Sequence, residues 1–230
     1  RRRHCTDTRM VETLNRALER SRTSRDYRGS MEAPRNSYDD PASISSAVAV
    51  GLFAQASRIE QEELDRLGVA LTYGSPLAFL PGAVIAHLVS SCLKDQDRPL
   101  KELIEEALTA LQDQFSREYR QVKEIVNLVR QAVAMAESRN LKPVEAMEKL
   151  KCGNGAQVLA GAVYAALLCE EDFDRAMIVA VNHSGKSAAV GALTGAILGA
   201  RMGFQELPEF YVESLELAPV LRELADDMLQ

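Results

Sequence analysis

The stretch "AVNHSGKSAAVGALTGAILGARMG", residues 180–203, decides how the rest of the chain is read. Its first eight residues, Ala180 to Ser187, fit the loose spelling of a phosphate loop: a small residue, four of any kind, then Gly-Lys-Ser. The apolar run "AMIVAV" stands before it and a helix-forming run behind it. A phosphate loop joins a strand to a helix and uses glycines so that backbone N–H groups can approach the phosphates. Here Ala180 takes the place of the first glycine, and residues 181–184 contain none. The residues after Ser187 read as helix and offer no apolar strand ending in Asp to hold Mg²⁺. Nucleotide binding therefore rests on the spelling alone and stays an alternative.

The same stretch has a mechanical reading. Gly191, Gly195 and Gly199 recur every four residues and line one stripe of a helix. Each glycine costs about 1 kcal/mol relative to alanine inside a helix. Close approach of a neighbouring helix is expected to offset that.

The flanking chain carries helical periodicity. Leu100, Leu103, Ile104, Ala107, Leu108, Leu111 and Phe115 recur at spacings of three and four and share one face. Val122, Ile125, Val126, Val129 and Val133 repeat the pattern. Pro143 suits the first turn of a helix over 143–151. Residues 155–169, "GAQVLAGAVYAALLC", are apolar nearly all round, so this helix is expected at the centre. Residues 9–21, 42–56, 60–72 and 213–228 also read as helices, and 22–41 as an irregular loop. Aromatics are 5% and no long stretch alternates with period two, so strands are not expected. The reading is one all-α domain over 1–230 with about ten helices.

Composition limits the function classes. A 47% apolar share supplies a sizeable core. A net charge of −6 gives no support to a nucleic-acid partner, and the one basic run, Arg1-Arg2-Arg3-His4, is short and terminal. Cys5, Cys92, Cys152 and Cys169 form no CxxC pair, which argues against a zinc site. With no disulfide framework and no signal peptide in the sequence, the expectation is a reduced, cytoplasmic protein. Residues 76–93 come closest to a membrane span but carry Pro76, Pro81, Gly82 and His87, so no membrane partner is expected.

"EEDFDRAMIVAVNHSGKSAAVGALTGAILGARMGFQELPEFYVESLEL" resembles the C-terminal signature of the ADP-ribosylglycohydrolase family. That pattern runs roughly N-x-x-G-D-S-D-S-T-G-A-I-x-G-x-I-x-G-A. Asn182, Gly185, Ser187, Gly191, Ala192, Gly195, Gly199 and Ala200 match it in register. "GAQVLAGAVYAALLC" is similar to the buried helix before the signature, and "LTYGSPLAFLPGAVIAHLV" to the family stretch Thr-His-x-x-Pro with its long helix. "TDTRMVETLNRAL" resembles the Thr-Asp-Asp-Thr motif near the N-terminus.

The resemblance implies an all-α bundle and a hydrolase that uses two Mg²⁺ or Mn²⁺ ions to cut the glycosidic bond between ADP-ribose and a protein side chain. It places metal ligands in the Thr-Asp-Asp motif and at the two Asp and the Thr of the signature. At those positions this chain has Lys186, Ala188 and Val190, and its N-terminal motif is Thr6, Asp7, Thr8, one Asp short. Tyr73 stands for the expected His, and Asp39-Asp40-Pro41-Ala42-Ser43 for a Gly-Asn-Gly loop. The Gly-Asp-x-x-Gly segment that opens the family pattern has no counterpart.

A Lys about 4 Å from a cation repels it by about 4 kcal/mol at an effective dielectric of 20, roughly three decades in affinity. The expectation is a degraded metal site with no cofactor. Its catalysis is expected to be absent or weak, with Asp7 the weak catalytic candidate and the lone candidate ligand should a metal bind. Thr6, Asp7, Thr8, Asn182, Gly185, Lys186 and Ser187 are the candidate ligand-binding residues, facing an ADP-ribose-like ligand or an ADP-ribosylated protein. Lys186 is expected to pair with Asp7. Asp39 and Asp40 read as a solvated loop, and His87 and His183 as local hydrogen-bonders. The alternative is an active hydrolase with Mg²⁺ or Mn²⁺.

Overall fold

The computed structural model describes residues 30, 31, 33–41, 44–57, 73–213 and 215–229, with isolated positions between 11 and 22. Those residues contain α-helices and no strand. In chain order the helices are α1 (Ile44–Ser57), α2 (Pro76–Lys94), α3 (Leu100–Phe115), α4 (Gln121–Ser138), α5 (Pro143–Leu150), α6 (Gly155–Leu168), α7 (Phe173–Val181), α8 (Ser187–Met202), α9 (Glu209–Glu213) and α10 (Ala218–Leu229). One 3₁₀ turn, Phe204–Glu206, links α8 to α9. The helix expected over 60–72 lies outside the described residues. Positions 11, 12, 15, 16, 18 and 19 carry helical backbone, in line with the helix read over 9–21.

Periodicity places the faces. Leu100, Leu103, Ile104, Ala107, Leu108 and Leu111 are the buried side of α3, and its other side is charged. Val122, Ile125, Val126, Val129 and Val133 are buried on α4. Eleven of the 14 residues of α6 are buried, and α6 packs against α2, α4, α5, α7 and α8. Its start is fixed by a capping box. The Asn154 side chain accepts from the Gln157 backbone N–H at 3.0 Å, and Gln157 Oε1 accepts from the N–H groups of Gly153 and Asn154.

The middle of the bundle depends on two backbone approaches. Pro81 sits inside α2 and cannot donate to the Leu77 carbonyl. Gly155 of α6 comes up against that carbonyl, so closely that a Cβ there would lie 2.2 Å from the oxygen. On the opposite side Gly51 of α1 meets the Ala86 carbonyl, and a Cβ would lie 2.5 Å from it. α2 is therefore clasped between α1 and α6. It is also the one described helix long and apolar enough to cross a bilayer, yet most of it is buried in this packing.

Two expectations change. The glycine stripe of α8 is only partly a packing device. A Cβ on Gly191 would touch Val181 and Met177 of α7 at 3.0 and 3.5 Å, and one on Gly195 would make ordinary contacts with Met177 and Phe173, but one on Gly199 would meet nothing within 4 Å. α7 is short and ends the contact before Gly199 is reached. The helix read over 213–228 is also interrupted: α9 ends at Glu213 and α10 opens at Ala218. Pro219 is the reason, because it fits the first turn of a helix and breaks an interior.

Candidate functional site

The 182–186 loop joins α7 to α8 and closes over the turn that follows α5. Each piece is held by short-range bonds. Asn182 caps α7, its side-chain amide donating to the Ile178 carbonyl at 2.7 Å. The Gly185 N–H donates to His183 Nδ1 at 3.0 Å, and His183 Nε2 lies 3.0 Å from the Ala180 carbonyl. With Nδ1 accepting, Nε2 is the donor to that carbonyl, so both ring nitrogens are used. Ser184 donates through its backbone N–H, at 2.7 Å, and its hydroxyl to the Glu148 carboxylate on α5. The hydroxyl, then the N–H, hold the Glu148 carboxyl below the usual carboxylate range.

The turn beneath is strained. Lys151 has φ 62 and ψ −31, and Cys152 has φ 45, both in the left-handed region although neither is glycine. The Cys152 N–H reaches back to the Leu150 carbonyl at 2.7 Å, which closes a three-residue turn around Lys151. The Lys186 N–H then donates to the Cys152 carbonyl at 2.8 Å. A Cβ at Gly185 would lie 2.6 Å from the Lys151 carbonyl, so no side chain fits there. The strained turn and the loop over-determine one another. Burial pushes the Cys152 thiol up to about 12, with Glu148 adding to the shift.

Lys186 emerges from this base. Its ammonium lies 3.4 Å from Asp40 Oδ2, with the lysine side chain 56% and the aspartate side chain 14% exposed. Asp40 is thus no free loop carboxylate, contrary to the solvated reading. Its loop is tied in because the adjacent Asp39 carbonyl accepts from the Gly155 N–H at 3.2 Å, the first residue of α6. Asp39 itself is exposed, as expected. Thr6, Asp7 and Thr8 lie outside the described residues, so the structure pairs Lys186 with Asp40 and does not test Asp7. Ser187 opens α8. Sequence reasoning misread Asp40 as solvated and missed Glu148 and the 151–152 turn, which lie far from the loop in sequence and carry no motif of their own.

The phosphate-loop alternative is corrected here. The run "AMIVAV" is helix α7, not a strand. The four N–H groups of residues 184–187 are spent on Glu148, His183, Cys152 and the Gly185 carbonyl. None is left to cradle a phosphate. The N-terminal candidate ligands Thr6, Asp7 and Thr8 lie outside the described residues. Among the described residues, no three His, Cys, Asp or Glu groups converge. Position 186 supplies an ammonium, position 188 a methyl group, and Val190 is fully buried within the bundle. Tyr73, in the place of the expected His, is also fully buried, its ring edge against Tyr38.

A family model described as ADP-ribosylglycohydrolase matches residues 2–230. The chain is also similar to an uncharacterized protein of Archaeoglobus fulgidus, 26% identical over 195 residues. That alignment covers 84% of this chain and 59% of the relative's length.

Proposed function

Because the chain belongs to the ADP-ribosylglycohydrolase family, we propose that it is a member whose metal-bearing cleft has become an ammonium–carboxylate pair. In this reading it recognises an ADP-ribose-like ligand, or a protein carrying one, without metal-dependent hydrolysis. The observation that carries it is Lys186 held 3.4 Å from Asp40. The signature's two Asp and Thr hold ions in the family. Here those positions add one positive charge and no oxygen ligand, and a second cation nearby would be repelled by about 4 kcal/mol at an effective dielectric of 20.

The pair also suits recognition. An anionic group arriving at this loop meets a half-exposed ammonium on a loop held by the backbone hydrogen bonds of residues 184–187. Asn182 and Ser187 are the other polar groups at this loop's edge. No order needs to be created in the 183–186 segment on binding, which keeps its entropic cost low.

The test is release of ADP-ribose by the unmodified chain from ADP-ribosylated arginine, serine and DNA base, with Mg²⁺ or Mn²⁺ at millimolar concentration. The reading predicts no release above the protein-free control. Metal-stimulated release would overturn it and make the active hydrolase the better account.

A further inference from the structure

A cleft lies at the opposite end of α6 from Lys186, about 20 Å along the 14-residue helix. It measures about 390 Å³ and is floored by Leu167, Leu168 and Cys169. Arg139 and Arg175 line it. Neither guanidinium has an ion-pair or hydrogen-bond partner among the described residues. Both charges reach the buried Cys169 thiol: burial raises its pKa, Arg175 opposes the rise, Asp172 adds to it, and Arg139 opposes it more weakly.

Three carboxylates, Glu170, Glu171 and Asp172, line the same cleft. Glu170 is taken by Arg201 at 2.7 Å. Asp172 caps α7, its side chain accepting from the Arg175 backbone N–H at 3.0 Å. Glu171 is exposed.

Arg139 closes α4 with φ 49 and ψ 24, the left-handed conformation that glycine or asparagine adopts most readily. Asn140 is the very next residue, yet an arginine occupies the strained position. A left-handed residue is a common helix ending, and here it places an arginine at the rim of the cleft that it lines.

We infer that this cleft binds a small dianionic ligand, a phosphate or dicarboxylate group held between the Arg139 and Arg175 guanidiniums over the Leu167–Leu168 floor. Paired arginine forks match the planar and tetrahedral oxyanions that carry two acceptor edges. The site is separate from the Lys186–Asp40 pair and does not rest on its reading.

The experiment is a ¹H–¹⁵N titration of the full chain at constant ionic strength, with inorganic phosphate in one arm and succinate in the other. The expected result is a saturable shift of the Arg139, Cys169, Asp172 and Arg175 amides in at least one arm, the tighter arm naming the ligand class. Arg175→Ala should weaken it at least tenfold. Arg139→Gly should do the same while raising Tm by roughly 2–4 °C, because it removes the left-handed strain. That combination separates a ligand-holding arginine from a structural one. Shifts that do not saturate, affinity unchanged in both variants, or a lower Tm for Arg139→Gly would each overturn the inference.

Discussion

The Lys186–Asp40 pair is the smallest unit of the account. At 3.4 Å, with the lysine more than half exposed, it is a weak ion pair, worth at most about 1 kcal/mol. A double-mutant cycle of Lys186→Ala and Asp40→Ala by chemical denaturation should return a coupling below about 1 kcal/mol. A coupling several times larger would mean that the pair is a structural keystone instead of a group open to a ligand. Gly185 should be far less tolerant. Gly185→Ala drives a Cβ into the Lys151 carbonyl and the Cys152 side chain, at 2.6 and 2.8 Å, and is expected to lower stability by roughly 1–3 kcal/mol. At this scale the sequence showed half of the site. A lysine among small residues stood out at 186. Its carboxylate partner sits 146 positions away in a loop that departs from the family's Gly-Asn-Gly spelling, and only the docking of that loop on the start of α6 brings the two together. Glu148 was hidden for the same reason.

Helices were the most legible level. α3 runs from Leu100 to Phe115, the span its periodicity predicts, because every third or fourth apolar residue faces a neighbour. The glycine stripe was read less well, since spacing places Gly199 on a face but does not say where α7 stops. The correction makes a prediction: Gly199→Ala replaces a helical glycine in open space and should raise stability by about 1 kcal/mol, measured by urea unfolding. A destabilising result would mean that another helix covers this face. The α2–α3 contact carries a pH dependence. His87 Nε2 is buried without a hydrogen bond, 3.5 Å from a Glu106 carboxylate that Arg98 already holds. Burial lowers the His87 pKa, and Glu106 opposes this more weakly. The folded imidazole therefore resists a proton that the unfolded chain accepts near its ordinary pKa of about 6.5. Stability should fall as pH drops through that range, by less than about 1.4 kcal/mol per pH unit. His87→Gln should flatten the Tm–pH profile between about pH 7 and 5, and an unchanged slope would remove His87 as the cause.

Across the whole molecule, the central helix was foreseeable because α6 is apolar on every side, and a bundle must wrap such a segment. The close crossings at Leu77–Gly155 and Ala86–Gly51 were not, because a glycine in a sequence does not name the carbonyl it will meet. Family membership and the altered 186 and 188 positions meet at this scale: the all-α bundle of the family is kept, while a lysine and an alanine stand where the resembled signature has Asp. ATP with Mg²⁺ should leave Tm unchanged, since the N–H groups of residues 184–187 are already bonded; a rise of several degrees abolished by Lys186→Ala would contradict that. The most direct measurement is calorimetric titration of Mn²⁺ into the native chain and into Lys186→Asp/Ala188→Asp, leaving buried Val190 alone. The account predicts no saturable binding tighter than about 1 mM for the native chain, roughly −4 kcal/mol, and measurable affinity once the two carboxylates replace the ammonium and the methyl group. Saturable Mn²⁺ binding by the native chain at micromolar concentration would contradict it.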